Sequence, residues 1–106
     1  MSQAATLEWT IPEDVQSFAE EQGVAAYLPA MLEITDRVFP KPLGRAVVVD
    51  DDPEIAGDRH IVFEVDVAMT VEESLVADRQ WHEAALQCCP TTLICVFRLS
   101  VELVNP

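Results

Sequence analysis

Asp78 and His82 stand four residues apart in a stretch with helical character, the spacing at which two side chains meet on one helix face. A carboxylate that orients an imidazole is the first half of many general-base arrangements. The pair is therefore the candidate catalytic site. No serine or cysteine is placed by the sequence to complete a nucleophilic triad. The competing reading is a buried or boundary histidine satisfied by its own helix neighbour. The other histidine, His60, is expected about 33 Å back along a strand from the turn at Thr70, and His82 about 18 Å along a helix from the same turn. A difference of roughly 15 Å argues against a shared catalytic or metal site.

Carboxylates form the second group of candidates. Asp50, Asp51, Asp52, Glu54 and Asp58 place five acids within nine residues, and Glu13, Asp14, Glu20 and Glu21 lie in a first segment of 36 residues that has seven acids and no Lys or Arg. These nine side chains are the candidate surface for a basic protein partner. Asp50, Asp52 and Glu54 mimic the first ligand positions of a calcium loop. Ile55 then stands where the glycine is needed and Ile61 where the bidentate glutamate is needed. The expectation is a solvated turn and no metal site.

The chain carries 19 acidic and 6 basic residues, a net charge of −13. Phosphate backbones repel such a surface, which argues against direct nucleic-acid binding. The bases, Arg37, Lys41, Arg45, Arg59, Arg79 and Arg98, are scattered, and Arg98 is expected to pair with Glu64 or Asp66 across a sheet. Acidity favours steering toward a basic partner and serves solubility equally well. Three cysteines, two of them the adjacent Cys88 and Cys89, make neither a disulfide framework nor a zinc set. They are expected to be reduced packing residues, and no cofactor is implied. No apolar run approaches the roughly 20 residues of a membrane span, and the N-terminus lacks the regions of a signal peptide. No membrane association is expected, and the default location is cytoplasmic.

The elements that must position these groups are legible in the hydrophobic pattern. Arg59 to Met69 alternates Ile61, Phe63, Val65 and Val67 against His60, Glu64 and Asp66, a half-buried strand. Thr70 and Glu73 fit a capping box. A helix from about Val71 runs to the break at Pro90, and Val71, Leu75, His82, Leu86 and Cys89 form its expected apolar stripe. Thr92 to Val104 alternates again as a second long strand, with an edge position as a possibility.

Upstream, residues 1–5 read as a loose tail, and Thr6 to Thr10 as a short edge strand or extended lead-in. Thr10 and Glu13 have a second capping-box spacing, which predicts a helix over Pro12 to Gln22, stopped by Gly23. Val15, Phe18 and Ala19 give it one apolar face. A further helix begins near Leu28, because Pro29 fits only a first turn, and ends before the Pro40–Gly44 break. Arg45 to Asp50 is a short strand that pairs with Arg59–Met69 as an antiparallel hairpin.

The fold class is α+β, one domain over 1–106, with a helical pair at 12–39 and a β-β-α-β unit at 45–104. The small three-stranded sheet is mixed or antiparallel. Two strand orders fit: the Arg45 strand central, which is half of a ferredoxin-like unit, or a meander with the last strand on the other side.

The runs D-P-E-I-x-x-D-R-H-I-V-F-E-V (Asp52–Val65), V-E-E-S-L (Val71–Leu75), W-H (Trp81-His82) and C-V-F-R-L-S (Cys95–Ser100) resemble a set of small bacterial hypothetical proteins over residues 28–104. No activity, cofactor or catalytic residue is assigned to that set. Its members look like free-standing small domains, which implies a partner-binding role. Three functions follow: an antitoxin- or immunity-like acidic module that masks a basic partner, a small enzyme using Asp78 with His82, and a homodimer formed through an exposed sheet edge.

Overall fold

The computed structural model describes residues 9–104. The expected tail at 1–5 and most of the Thr6–Thr10 segment lie outside the described residues. Trp9 and Thr10 themselves are not in a strand.

The chain folds as α1 (Glu13–Glu21), a 3-10 turn (Ala25–Tyr27), α2 (Leu28–Val38), β1 (Gly44–Asp51), β2 (Arg59–Val67), α3 (Val71–Cys88), a second 3-10 turn (Ile94–Val96) and β3 (Phe97–Leu103). This is the expected α+β order. Gly23 ends α1 with φ +74°. Its N–H bonds Glu20 O at 3.2 Å and that of Val24 bonds Ala19 O at 2.9 Å, the paired bonds of a Schellman cap. Pro29 falls in the first turn of α2, where its missing N–H costs nothing. The capping box on α3 forms in full: Thr70 Oγ1 accepts from Glu73 N at 3.1 Å and Glu73 Oε1 accepts from Thr70 N at 2.9 Å.

The equivalent box at Thr10 does not form. α1 starts one residue after Pro12, which is its cap and supplies no side-chain bond. Thr10 stands two residues before that cap, outside the reach its hydroxyl would need.

The sheet has the order β1-β2-β3. β1 and β2 are antiparallel with Val47 opposite Phe63, and β2 and β3 are parallel with Ile61 opposite Phe97. β2 is thus the central strand. The alternative with the Arg45 strand central is not adopted, and the last strand lies on the far side of β2 without making a meander. α3 carries the chain back along the sheet, so β3 enters in the direction of β2. β3 is also shorter than its alternation suggests. Residues 91–93 form a turn and Ile94–Val96 a 3-10 turn, because Ile94 N and Leu93 N both bond Pro90 O, at 3.0 and 2.9 Å.

All three α-helices contribute to one core with Val47, Ile61, Phe63, Val65, Val67 and Phe97. By strand alternation those sheet residues share a single face, so the fold has two layers. Phe63 is the hub: its ring centroid lies 5.9 Å from Trp81, 5.8 Å from Phe97 and 6.4 Å from Trp9. Val62 is buried on the other face, apart from this cluster.

α3 does not bury the stripe its hydropathy suggests. Ala77, Trp81 and Ala85 face the core, followed by Cys89 just past the helix end, while Val71, Leu75 and Leu86 are 61%, 62% and 53% exposed. The expected stripe carries His82 at its middle with Asp78 beside it, and burying those polar groups would cost several kcal/mol. Trp81 offers a single indole whose N–H finds a partner inside, between two alanines small enough to let α2 approach.

Candidate functional site

His82 is on the exposed side of α3, its side chain 57% accessible. Nδ1 lies 2.9 Å from the Asp78 carbonyl oxygen and 3.7 Å from Asp78 Oδ1. A proton on Nδ1 therefore goes to the backbone, which leaves Nε2 as the outward nitrogen. The indole of Trp81 backs the imidazole edge-on, with centroids 5.0 Å apart.

The two histidines come together, against expectation. His60 and His82 line one cleft of about 320 Å³ with Trp81, Ala85, Leu86, Ile94, Cys95, Phe97 and Arg98. The strand ends at Val67, so residues 68–70 add no strand length. His60 is then roughly 23 Å before the strand end and His82 roughly 17 Å into the helix, a difference of only about 6 Å. The cleft opens because β3 joins the sheet at Phe97, opposite Ile61. Beside His60 the chain is still in its 3-10 turn, and no strand fills that space.

His60 is largely enclosed, its side chain 12% exposed, with Nε2 3.6 Å from Asp58 Oδ1. Cys95 is exposed and makes no hydrogen bond to either ring among the described residues. No group of three or more His, Cys, Asp or Glu side chains among the described residues is disposed to hold a metal ion. Arg98 does not pair with Glu64 or Asp66: the register sets it beside Val62, with Glu64 beside Ser100.

The acidic candidates lie on α1 and on the β1–β2 hairpin. Asp51 and Arg59 are directly opposite in the hairpin and bond at 2.6 Å. The Arg59 guanidinium lies 4.7 Å from the ring centroid of Phe18 in α1. This contact ties the helix that bears Glu13, Asp14, Glu20 and Glu21 to the hairpin end that bears Asp50, Asp51, Asp52, Glu54 and Asp58. The four α1 acids, Asp50, Asp51 and Glu54 are exposed, while Asp52 and Asp58 are half-buried. Asp52 is committed to the turn: its Oδ1 accepts from Glu54 N at 2.8 Å and Ile55 N at 3.2 Å.

Sequence reasoning missed a third polar group. Asp36 in α2 forms an ion pair with Arg45 in β1 and accepts from Trp9 Nε1 at 3.2 Å. The Arg45 guanidinium stacks 4.2 Å from the Trp9 ring centroid. Burial pulls the Arg45 pKa below its ordinary value, an electrostatic cost that the carboxylate and ring offset. No periodicity links positions 9, 36 and 45, so nothing in the pattern announces this cluster.

No family model, curated protein or solved structure matches the chain. Among the described residues, no helix is long and apolar enough to cross a membrane.

Proposed function

We propose that the protein is an acidic interaction module, antitoxin- or immunity-like, that docks on and masks a basic protein partner. One observation carries this reading: Arg59, held between Phe18 and Asp51, joins two acidic segments that are 29 residues apart in sequence at their nearest, Glu21 and Asp50. The two segments carry nine carboxylates, and the base that joins them, Arg59, is already paired. Charge gathered in this way accelerates encounter with an opposite surface and makes the association salt-dependent.

The test is capture of a partner from the host of this protein at low salt, identification by mass spectrometry, and binding of the purified pair. Neutralising Glu13, Asp14, Glu20, Glu21, Asp50, Asp51 and Glu54 should weaken the complex at least tenfold. Neutralising an equal number of acids elsewhere, among them Glu33, Glu64, Asp66, Glu72, Glu83 and Glu102, should weaken it far less. Equal losses would mean that net charge alone is responsible and would overturn the docking surface.

Self-association is the second reading, favoured by β3 as an edge strand with Leu103 and Val104 exposed beside it. An unpaired edge is a template for a second chain. A sedimentation mass equal to one chain at high concentration would exclude it.

A further inference from the structure

The cleft beside His60 differs in charge from the rest of the molecule. Both histidines of the chain and one of its six Lys and Arg residues stand around it, with no Asp or Glu in its lining. The remainder is apolar: Trp81, Ala85, Leu86, Ile94 and Phe97, with the Cys95 thiol at the rim. Arg98 is exposed and has neither an ion pair nor a hydrogen bond among the described residues. Its guanidinium is thus available to a ligand without first breaking an internal contact.

From this arrangement we infer that the α3–β3 cleft is a binding site for a small amphipathic carboxylate, with its aryl or alkyl body against Trp81, Leu86 and Ile94 and its anionic end toward Arg98 and the imidazoles. A cleft of about 320 Å³ is at the small end of the range of about 300–1,000 Å³ for ligand pockets, which suits one or two fused rings. Arginine presents a planar fork that matches a carboxylate. The net charge of −13 works against anion binding at a distance, but beyond about 8 Å it is largely screened at physiological ionic strength. Inside the cleft Arg98 is the one Lys or Arg of the lining, and its guanidinium decides. Asp58 behind His60 and Asp78 behind His82, at 3.6 and 3.7 Å, engage the opposite side of each pair and leave His60 Nδ1 and His82 Nε2 uncommitted.

A second cleft supplies the internal comparison. The groove of about 480 Å³ lined by Ala68, Met69, Thr70, Val71, Glu73, Leu103 and Val104 is larger but less apolar, and it contains a carboxylate and no cation. Size alone would favour that groove. The charge pattern favours the α3–β3 cleft.

The inference is tested with 2-naphthoate and its neutral analogue 2-naphthylmethanol, titrated into the full chain and followed by amide and imidazole NMR shifts. Naphthoate should perturb Trp81, His82, Cys95 and Phe97 with a Kd of about 1 mM or tighter, and should slow alkylation of Cys95. The alcohol should bind about tenfold more weakly, and Arg98→Gln should cost naphthoate about tenfold while leaving the alcohol unchanged. Arg98 is exposed on an edge strand, and the dispersion of the variant's spectrum verifies its fold. Equal binding of acid and alcohol, an unaltered naphthoate affinity in folded Arg98→Gln, or shifts confined to the Met69–Val104 groove would each overturn the assignment.

Discussion

The indole N–H of Trp81 donates to Thr35 Oγ1 at 2.9 Å, and the Thr35 hydroxyl in turn donates to Met31 O at 2.8 Å. Thr35 is the buried polar residue of the core among the described residues, 1% exposed. This short chain ties α3 to α2. Thr35→Val keeps the shape and leaves a buried donor without a partner, so it should cost about 1–3 kcal/mol. Trp81→Phe should cost a comparable amount through lost volume and the lost bond. Urea denaturation of the double variant should show the two losses to be non-additive by about 1 kcal/mol; strict additivity would deny the coupling.

The two threonines with the same sequence signature should behave differently. Thr70 caps α3, so Thr70→Ala should lower stability by about 1 kcal/mol, or about 4–8 °C in Tm. Thr10 caps nothing, and Thr10→Ala should fall within about 0.5 kcal/mol of the parent. Equal losses at both positions would mean that α1 begins earlier than Glu13.

How far the sequence foretold this depends on what each feature obeys. Local rules fixed the capping box at Thr70, the glycine stop at Gly23, the Pro29 first turn and the hairpin around Asp52, since each is a backbone requirement within a few residues. The face of α3 was not legible, because its hydropathy supports two stripes and the choice rests on Thr35, far away in sequence. The false start of β3 has the same origin. Leu93, Cys95 and Phe97 alternate as in a strand, yet Pro90 O captures the amides of Leu93 and Ile94. The His60–His82 cleft follows from that turn, and a pattern that alternates like a strand conceals it.

A direct check of the α3 face uses charge and volume. Leu75→Glu and Leu86→Glu replace exposed side chains and should change stability by less than about 0.5 kcal/mol. Ala85→Leu pushes a larger side chain into the packed interior and should cost about 1–3 kcal/mol. The reverse ranking in thermal denaturation would restore the leucine stripe as the buried face.

The cysteines give the pH dependence. Burial raises the pKa of Cys88, and burial with a smaller contribution from Cys88 and Cys95 raises that of Cys89. A thiol whose folded value is raised contributes no loss below its unfolded value near 8.5. Above it the unfolded chain releases protons that the folded chain retains, so stability falls as pH rises through the folded values. Cys89→Ala should flatten the alkaline decline. In the native protein iodoacetamide should modify the exposed Cys95 first and the buried Cys89 last; early modification of Cys89 would contradict its burial.

Glu20 and Glu21 close α1 in its last turn, which contains no basic residue. Negative charge there opposes the helix dipole at a cost of about 0.3–1 kcal/mol per residue, and the neighbouring hairpin acids add repulsion. Glu20 recovers part through its bond from Gln16 Nε2 at 3.1 Å; Glu21 has no such bond among the described residues. Glu21→Gln should therefore stabilise the free protein by several tenths of a kcal/mol, and added NaCl should raise the Tm of the parent more than that of the variant. The same substitution should weaken the basic partner's binding, most visibly in its association rate at low salt. A variant that gains stability and loses association rate would mark Glu21 as a residue kept for docking at the expense of the fold. One that gains stability with an unchanged rate would remove α1 from the interface.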